Sequence, residues 1–77
     1  MQYELKKADS PLFSEYYTGY NPETSRTVHC ILAENCVRYV VFNCKTNRME
    51  TKREYANHEK SRCMKNATAA LNRKEQA

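Results

Sequence analysis

Two runs in the middle of the chain, Thr27 to Ala33 and Val37 to Cys44, constrain the fold more than anything else in its 77 residues. Both are rich in β-branched and aromatic side chains, which fit a pleated surface, and only Glu34-Asn35-Cys36 separates them. That spacing predicts a β-hairpin. A second turn at Lys45-Thr46-Asn47 would return Arg48 to Tyr55 as a third strand. Simple alternation then puts Arg48, Glu50, Lys52 and Glu54 on one face and Met49, Thr51, Arg53 and Tyr55 on the other. Its polarity suits a sheet edge.

The flanks read as helical. Ser10 can accept a hydrogen bond from an orphan backbone N–H, and Pro11 suits a first helical position, so a short helix is expected from Pro11 to about Tyr17. Leu12 and Tyr16 stand one turn apart on it, Gly19 can end it in the left-handed conformation, and Asn21-Pro22-Glu23-Thr24 follows as a turn. Ahead of it, Tyr3 and Leu5 alternate with polar residues and permit a brief strand. After the sheet, Asn57 opens a helix over 57–73. There Cys63, Ala67, Ala70 and Leu71, with Met64 beside them, form one apolar stripe for packing on the sheet. The expected fold is α+β: a short N-terminal helix, a three-stranded antiparallel sheet and a C-terminal amphipathic helix packed on it. One small domain covers 1–77, divided into 1–20, 27–55 and 57–73.

Both alternating sets in the hairpin are apolar: Val28, Leu32, Val40 and Phe42 at even positions, Ile31, Val37, Tyr39 and Val41 at odd ones. A sheet with one wet face shows cleaner alternation. Either the early helix or a second subunit is therefore expected to cover the second face, and a homodimer through the sheet is predicted; the alternative is a monomer that shows some apolar surface, as most do. A domain of this size buries only roughly 60–65% of its unfolded surface, so a partner would also add needed stability.

Charge is distributed unevenly. Nine of the thirteen lysines and arginines lie between Lys45 and Ala77, against Glu50, Glu54, Glu59 and Glu75, whereas the first forty-four residues carry a slight acidic excess. A one-sided basic surface attracts polyanions, because each phosphate neutralised releases condensed counterions. Cys30, Cys36, Cys44 and Cys63 are separated by five, seven and eighteen residues, unlike the close pairs of structural zinc sites. His29, adjacent to Cys30 on a strand, points to the other face. The cysteines read as small buried hydrophobes of a reducing compartment, and no metal or cofactor is implied. No run approaches the ~20 apolar residues of a bilayer span, and the start lacks a signal peptide's apolar stretch, so a soluble cytoplasmic protein is expected. Enzyme chemistry has no support: there is no phosphate-cradling glycine loop, and His58 and Cys63 stand ~140° apart on a helix.

The order helix, three strands, helix resembles the double-stranded RNA-binding domain. Pro11-Leu12-Phe13 with Glu15-Tyr16 looks like the family's first helix. Lys60 falls on one of its phosphate-facing lysines, and Ala67, Ala70 and Leu71 match three of four positions of its last-helix signature; Asn66 replaces the fourth. The resemblance implies recognition of A-form shape through phosphate and 2′-hydroxyl contacts, with Lys60, Arg62 and Lys65 at the phosphates. Without it, a basic helix beside a tyrosine-bearing sheet suits single strands.

The chain reads first as a small basic RNA-binding protein with little sequence specificity. Arg48, Lys52, Arg53, Lys60, Arg62 and Lys65 are its candidate phosphate contacts, with Tyr39 and Tyr55 beside them. A competing reading comes from character rather than motif. A short Asn-, Lys- and Tyr-rich chain with one glycine resembles small accessory proteins of virulent phages, many of which block a host enzyme or ribonuclease toxin, and a ternary complex with RNA would combine the two.

Overall fold

In the computed structural model, which describes residues 2–12 and 15–74, five strands run as an antiparallel meander in the order of the chain. They are β1 (Lys6–Ala8), β2 (Tyr16–Asn21), β3 (Arg26–Ala33), β4 (Cys36–Asn43) and β5 (Arg48–Tyr55). A 3-10 turn (Asn57–Glu59) leads into one helix, α1 (Lys60–Leu71), which packs across a single face of the sheet. The fold is α+β, but the short N-terminal helix and the three-stranded sheet expected from the sequence are replaced by a five-stranded sheet.

The correction centres on residues 16–21. Pro11 and Leu12 form a bend, Phe13 and Ser14 lie outside the described residues, and Tyr16 onward is strand, paired with β3 from Tyr16↔Ile31 to Asn21↔Arg26. A Ser-Pro cap signal is local, whereas the run Tyr-Tyr-Thr favours extended backbone and gains a full ladder of bonds from β3. Gly19 is not a helix terminator: it has no positive φ. A Cβ there would stand 2.7 Å from Leu71 Cδ2 and 3.0 Å from both the Glu4 carbonyl oxygen and Leu5 Cδ2. Glycine is required because the strand passes directly beneath α1. The N-terminal strand also shifts, from Tyr3 and Leu5 to Lys6–Ala8. Tyr3 is instead held by Asn72, whose Oδ1 accepts from the Tyr3 N–H at 2.7 Å and whose Nδ2 donates to the Tyr3 carbonyl at 2.9 Å.

The core lies between sheet and helix. Val28, Cys30 and Leu32 from β3 and Val37, Tyr39 and Val41 from β4 meet Cys63, Ala67, Ala70 and Leu71 of α1. The small residues of the helix stripe let it approach the sheet closely, and the Cys30 and Cys63 sulfurs come within 3.8 Å. Two asparagines close the turns at this end of the sheet. Asn21 Oδ1 accepts from the Glu23 N–H at 2.9 Å, Asn43 Oδ1 accepts from the Lys45 N–H at 2.9 Å, and both residues are buried. Asn21 Nδ2 also donates to the Leu71 carbonyl at 2.8 Å, tying the β2–β3 turn to the helix end.

β5 does not follow simple alternation. The register jumps from Val41↔Thr51 to Phe42↔Met49, so Glu50 is an extra residue in a β-bulge. The bulge moves Arg48 and Glu50 to the helix side, with Thr51, Arg53 and Tyr55, and leaves Met49, Lys52 and Glu54 on the other side. The expected grouping of Arg48 and Glu50 with Lys52 and Glu54 is therefore corrected.

Candidate nucleic-acid interface

The face of the sheet turned away from α1 carries no other element among the described residues. Cross-strand partners share a face in an antiparallel sheet, so the pairing defines three rows across it. One row runs Ala8, Tyr16, Ile31, Arg38, Glu54; the next runs Lys6, Thr18, His29, Val40, Lys52; the third runs Tyr20, Thr27, Phe42, Met49. Tyr16, His29, Val40 and Phe42 are half-buried, while Tyr20 and Met49 remain 50% and 58% exposed. The expectation that an early helix covers this face fails because Pro11 and Leu12 form a bend and the last residues assigned to that helix, Tyr16 and Tyr17, are strand.

The face is shaped by one aromatic pair. Tyr16 stacks diagonally on His29, with ring centroids 5.8 Å apart and an interplanar angle of 7°, and its hydroxyl is hydrogen-bonded to His29 Nδ1. Partial burial pushes the His29 imidazole below its ordinary value, which favours the neutral ring that shares a proton with the Tyr16 hydroxyl through Nδ1. A flat platform results, bearing Tyr16, His29, Tyr20 and Phe42, with Lys6, Arg38 and Lys52 set among them and Glu54 as the one carboxylate in the rows. Chemically, such a surface can stack planar bases and hold phosphates between them.

The residues predicted from sequence do not gather on it. Only Lys52 lies there, opposite Val40. Arg53 points to the helix side, where Tyr39 is buried and stacked on Tyr55 with centroids 6.2 Å apart. Tyr55 accepts a hydrogen bond from Asn66 Nδ2 at 2.9 Å, and both rings pack on the helix side of the sheet rather than on its open face. Arg48 sits at the start of β5 opposite Asn43, exposed. On α1, Lys60 and Lys65 border a shallow depression with Glu15, Leu32 and Met64, while Arg62 lies ~200° around the helix from Lys60 and pairs with Glu59 at 3.2 Å. The three helix cations thus do not form one phosphate-facing row.

Sequence reasoning misses Lys6, Arg38, Tyr16, Tyr20, His29 and Phe42 as a shared surface. The signal is present in the doubly apolar hairpin, but from sequence it reads as a covered face. Among the described residues no three of His, Cys, Asp and Glu cluster as a metal site would need, and no helix is long and apolar enough to cross a membrane. Comparisons with protein-family models, with curated proteins and with solved structures give no match to this chain.

Proposed function

We propose that this protein binds single-stranded RNA across the open face of its sheet, with little sequence preference. The observation that carries the reading is the interleaving of Tyr16, Tyr20, His29 and Phe42 with Lys6, Arg38 and Lys52 on one face that no other element covers among the described residues. Bases have π-faces of any sequence, so stacking supplies affinity without readout, and the cations follow the backbone. A rigid duplex hides its bases and offers a platform of this kind little to stack on. The double-stranded RNA-binding resemblance implied duplex contacts through Lys60, Arg62 and Lys65, and these do not form one row on α1, which turns the proposal toward single strands.

Fluorescence anisotropy against labelled single-stranded RNA, duplex RNA and duplex DNA, each titrated with salt, tests this. Single strands should bind most tightly. Arg38→Gln with Lys52→Gln should flatten the log–log salt slope by about 1.4, since each cation that neutralises a single-strand phosphate accounts for ~0.7 of that slope. Tyr20→Ala, at an exposed position, should weaken binding by about 1–3 kcal/mol without unfolding the domain. Equal affinity for all three nucleic acids, or a slope unchanged in the double variant, would remove the sheet face from the interface.

Exposed Met49 and Tyr20 on that face favour a second reading, in which it docks a protein: a host target, as in a phage-type inhibitor, or a second copy. Two copies meeting face to face would oppose Lys6, Arg38 and Lys52 to one another, which disfavours the homodimer relative to a polyanion. A mass corresponding to a dimer in light scattering, lost on Met49→Lys, would reverse that preference.

A further inference from the structure

On the opposite side of the sheet, where α1 ends beside β5, a cleft of about 560 Å³ is lined by Arg26, Tyr39, Glu50, Thr51, Arg53, Arg73 and Lys74, with Val41 and Ala70 at its floor. Its charge is unbalanced in a specific way. Arg26 and Glu50 neutralise each other through a forked pair, Nε to Oε1 at 2.5 Å and Nη2 to Oε2 at 3.3 Å, and Asn43 Nδ2 donates to the same carboxylate at 2.9 Å. Glu50 is held there by the bulge and is engaged on both oxygens. Arg53 comes from β5 and Arg73 and Lys74 from the segment just after α1, and among the described residues no carboxylate forms an ion pair with any of them. Three cations therefore line one concavity with no carboxylate paired to them among the described residues.

Two features make the cleft an anion site rather than a solvated patch. The first is that Tyr39 lines the cleft with Arg53 and Arg73, and burial and then Tyr55 push its pKa upward, which keeps its hydroxyl a neutral O–H. The second is the state of the helix end. Cations after a helix C-terminus ordinarily serve its exposed carbonyls. Here three of those carbonyls already have partners: Thr68 O takes Asn72 N–H at 3.2 Å and Nδ2 at 2.9 Å, Ala70 O takes Arg73 N–H at 3.3 Å, and Leu71 O takes Asn21 Nδ2. The Arg73 and Lys74 side chains are not consumed by the helix, and Arg53 never belonged to it.

We infer that this cleft is a second binding site, separate from the sheet face, that takes a phosphate monoester. A terminal phosphate carries up to two charges and three acceptor oxygens. Those oxygens match two guanidinium forks and an ammonium, with the Thr51 and Tyr39 hydroxyls beside them. An internal phosphodiester has one charge and fewer exposed oxygens, and its flanking chain would have to thread the concavity. The ligand is therefore a phosphorylated end, either the 5′ or 3′ terminus of a nucleic acid or a free nucleotide.

The test uses the full chain and four probes: inorganic phosphate, adenosine 5′-monophosphate, and one single-stranded RNA oligonucleotide with a 5′-phosphate or a 5′-hydroxyl. In ¹H–¹⁵N spectra, inorganic phosphate and the nucleotide should move the amides of Thr51, Arg53 and Arg73 saturably, and leave those of Arg62 and Lys65 in place. Equal shifts at the helix cations, or none in the cleft, would overturn the site. The phosphorylated oligonucleotide should bind about tenfold or more tightly than the hydroxyl form. Arg53→Gln with Arg73→Gln, both exposed, should erase that ratio, whereas Arg38→Gln with Lys52→Gln should weaken both forms and keep it. A phosphorylated and a hydroxyl end bound alike, with nucleotide still binding, would assign the cleft to free nucleotides. Because phosphate and nucleotide do not need the sheet face, the inference can fail while the single-strand reading stands, and the reverse.

Discussion

Replacing Gly19 with alanine tests the packing that distinguishes this fold from the one its sequence suggests. The new methyl would sit 2.7 Å from Leu71 Cδ2, and the other near atoms are the Glu4 carbonyl oxygen and Leu5 Cδ2, each at 3.0 Å. Leu71 is fully buried and cannot swing away. Overpacking of this kind costs roughly 1–3 kcal/mol, against which alanine recovers about 0.4–1 kcal/mol by restricting the unfolded chain. A net loss of about 1–2 kcal/mol corresponds to a fall in Tm of roughly 4–15 °C for a domain of this length. A glycine acting as a left-handed helix cap would also resist alanine, so the single variant is not decisive; coupling to Leu71 is. Leu71→Ala alone should cost about 2–5 kcal/mol, but in the Gly19→Ala background it removes the atom that clashes, and the two effects should fall short of additivity by about 1 kcal/mol. Urea denaturation of the four proteins measures this cycle. Strict additivity, or a Gly19→Ala protein as stable as the parent, would refute the close passage of β2 under the helix.

Thiol labelling should follow burial: Cys44 is exposed and Cys36 half-buried, while Cys30 and Cys63 are fully buried, with the Cys30 thiol pushed up to about 12 by burial and by Cys63. An aromatic disulfide reagent should therefore modify Cys44 fastest and reach Cys30 and Cys63 only at the rate of global unfolding; rapid modification of all four thiols would contradict the core described. Glu50 is held below the ordinary carboxylate value by Arg26 and then Asn43, so its contribution to stability is present above the unfolded value near 4.5 and is lost as pH falls through the lower folded one. Glu50→Gln should remove that part of the acid sensitivity, seen as a flatter Tm-versus-pH curve below about pH 4.5. For His29 the depressed value acts in the same direction at higher pH: stability should be full above about 6.5 and decline below it, and His29→Gln should abolish the decline in the same scan.

The hairpin and the apolar stripe of α1 were legible because each is a local pattern that its partner reinforces. Val28, Cys30 and Leu32 alternate toward Cys63, Ala67 and Leu71, and nothing nearby in sequence competes. β2 was not legible for the converse reason. Ser10-Pro11 offers a helix start, Leu12 and Tyr16 fall at helical spacing, and Gly19 can end a helix; all three signals are outweighed by a ladder to β3 that no local window contains. The bulge at Glu50 is equally invisible, since its cause is the pairing of Phe42 with Met49 and the fork to Arg26. That one inserted residue inverts the faces that alternation assigns to Arg48 and Glu50. For the site, the basic half was legible in the chain but not in space, because counting charges does not say that Lys52 and Arg53 point to opposite sides of the sheet.

The divergence of Lys52 and Arg53 bears on what the basic half is for. β5 is a sheet edge, and charged residues on an edge strand ordinarily keep it from pairing with another chain. That role needs charge of either sign, and β5 does carry Glu50 and Glu54 as well. Yet Glu50 is occupied by Arg26 and Asn43, and Glu54 stands opposite Arg38, so both carboxylates have basic neighbours while Lys52 and Arg53 remain exposed on either side. Solubility alone would be served as well by the opposite arrangement. What distinguishes the observed one is that the polyanion proposed for the aromatic platform would, on leaving it at Lys52, meet Arg53 on the other side of β5. From there it faces the cleft where Arg73 and Lys74 stand. The proposed sheet-face and cleft sites lie on opposite sides of β5, and one RNA strand that occupied both would have to cross that edge.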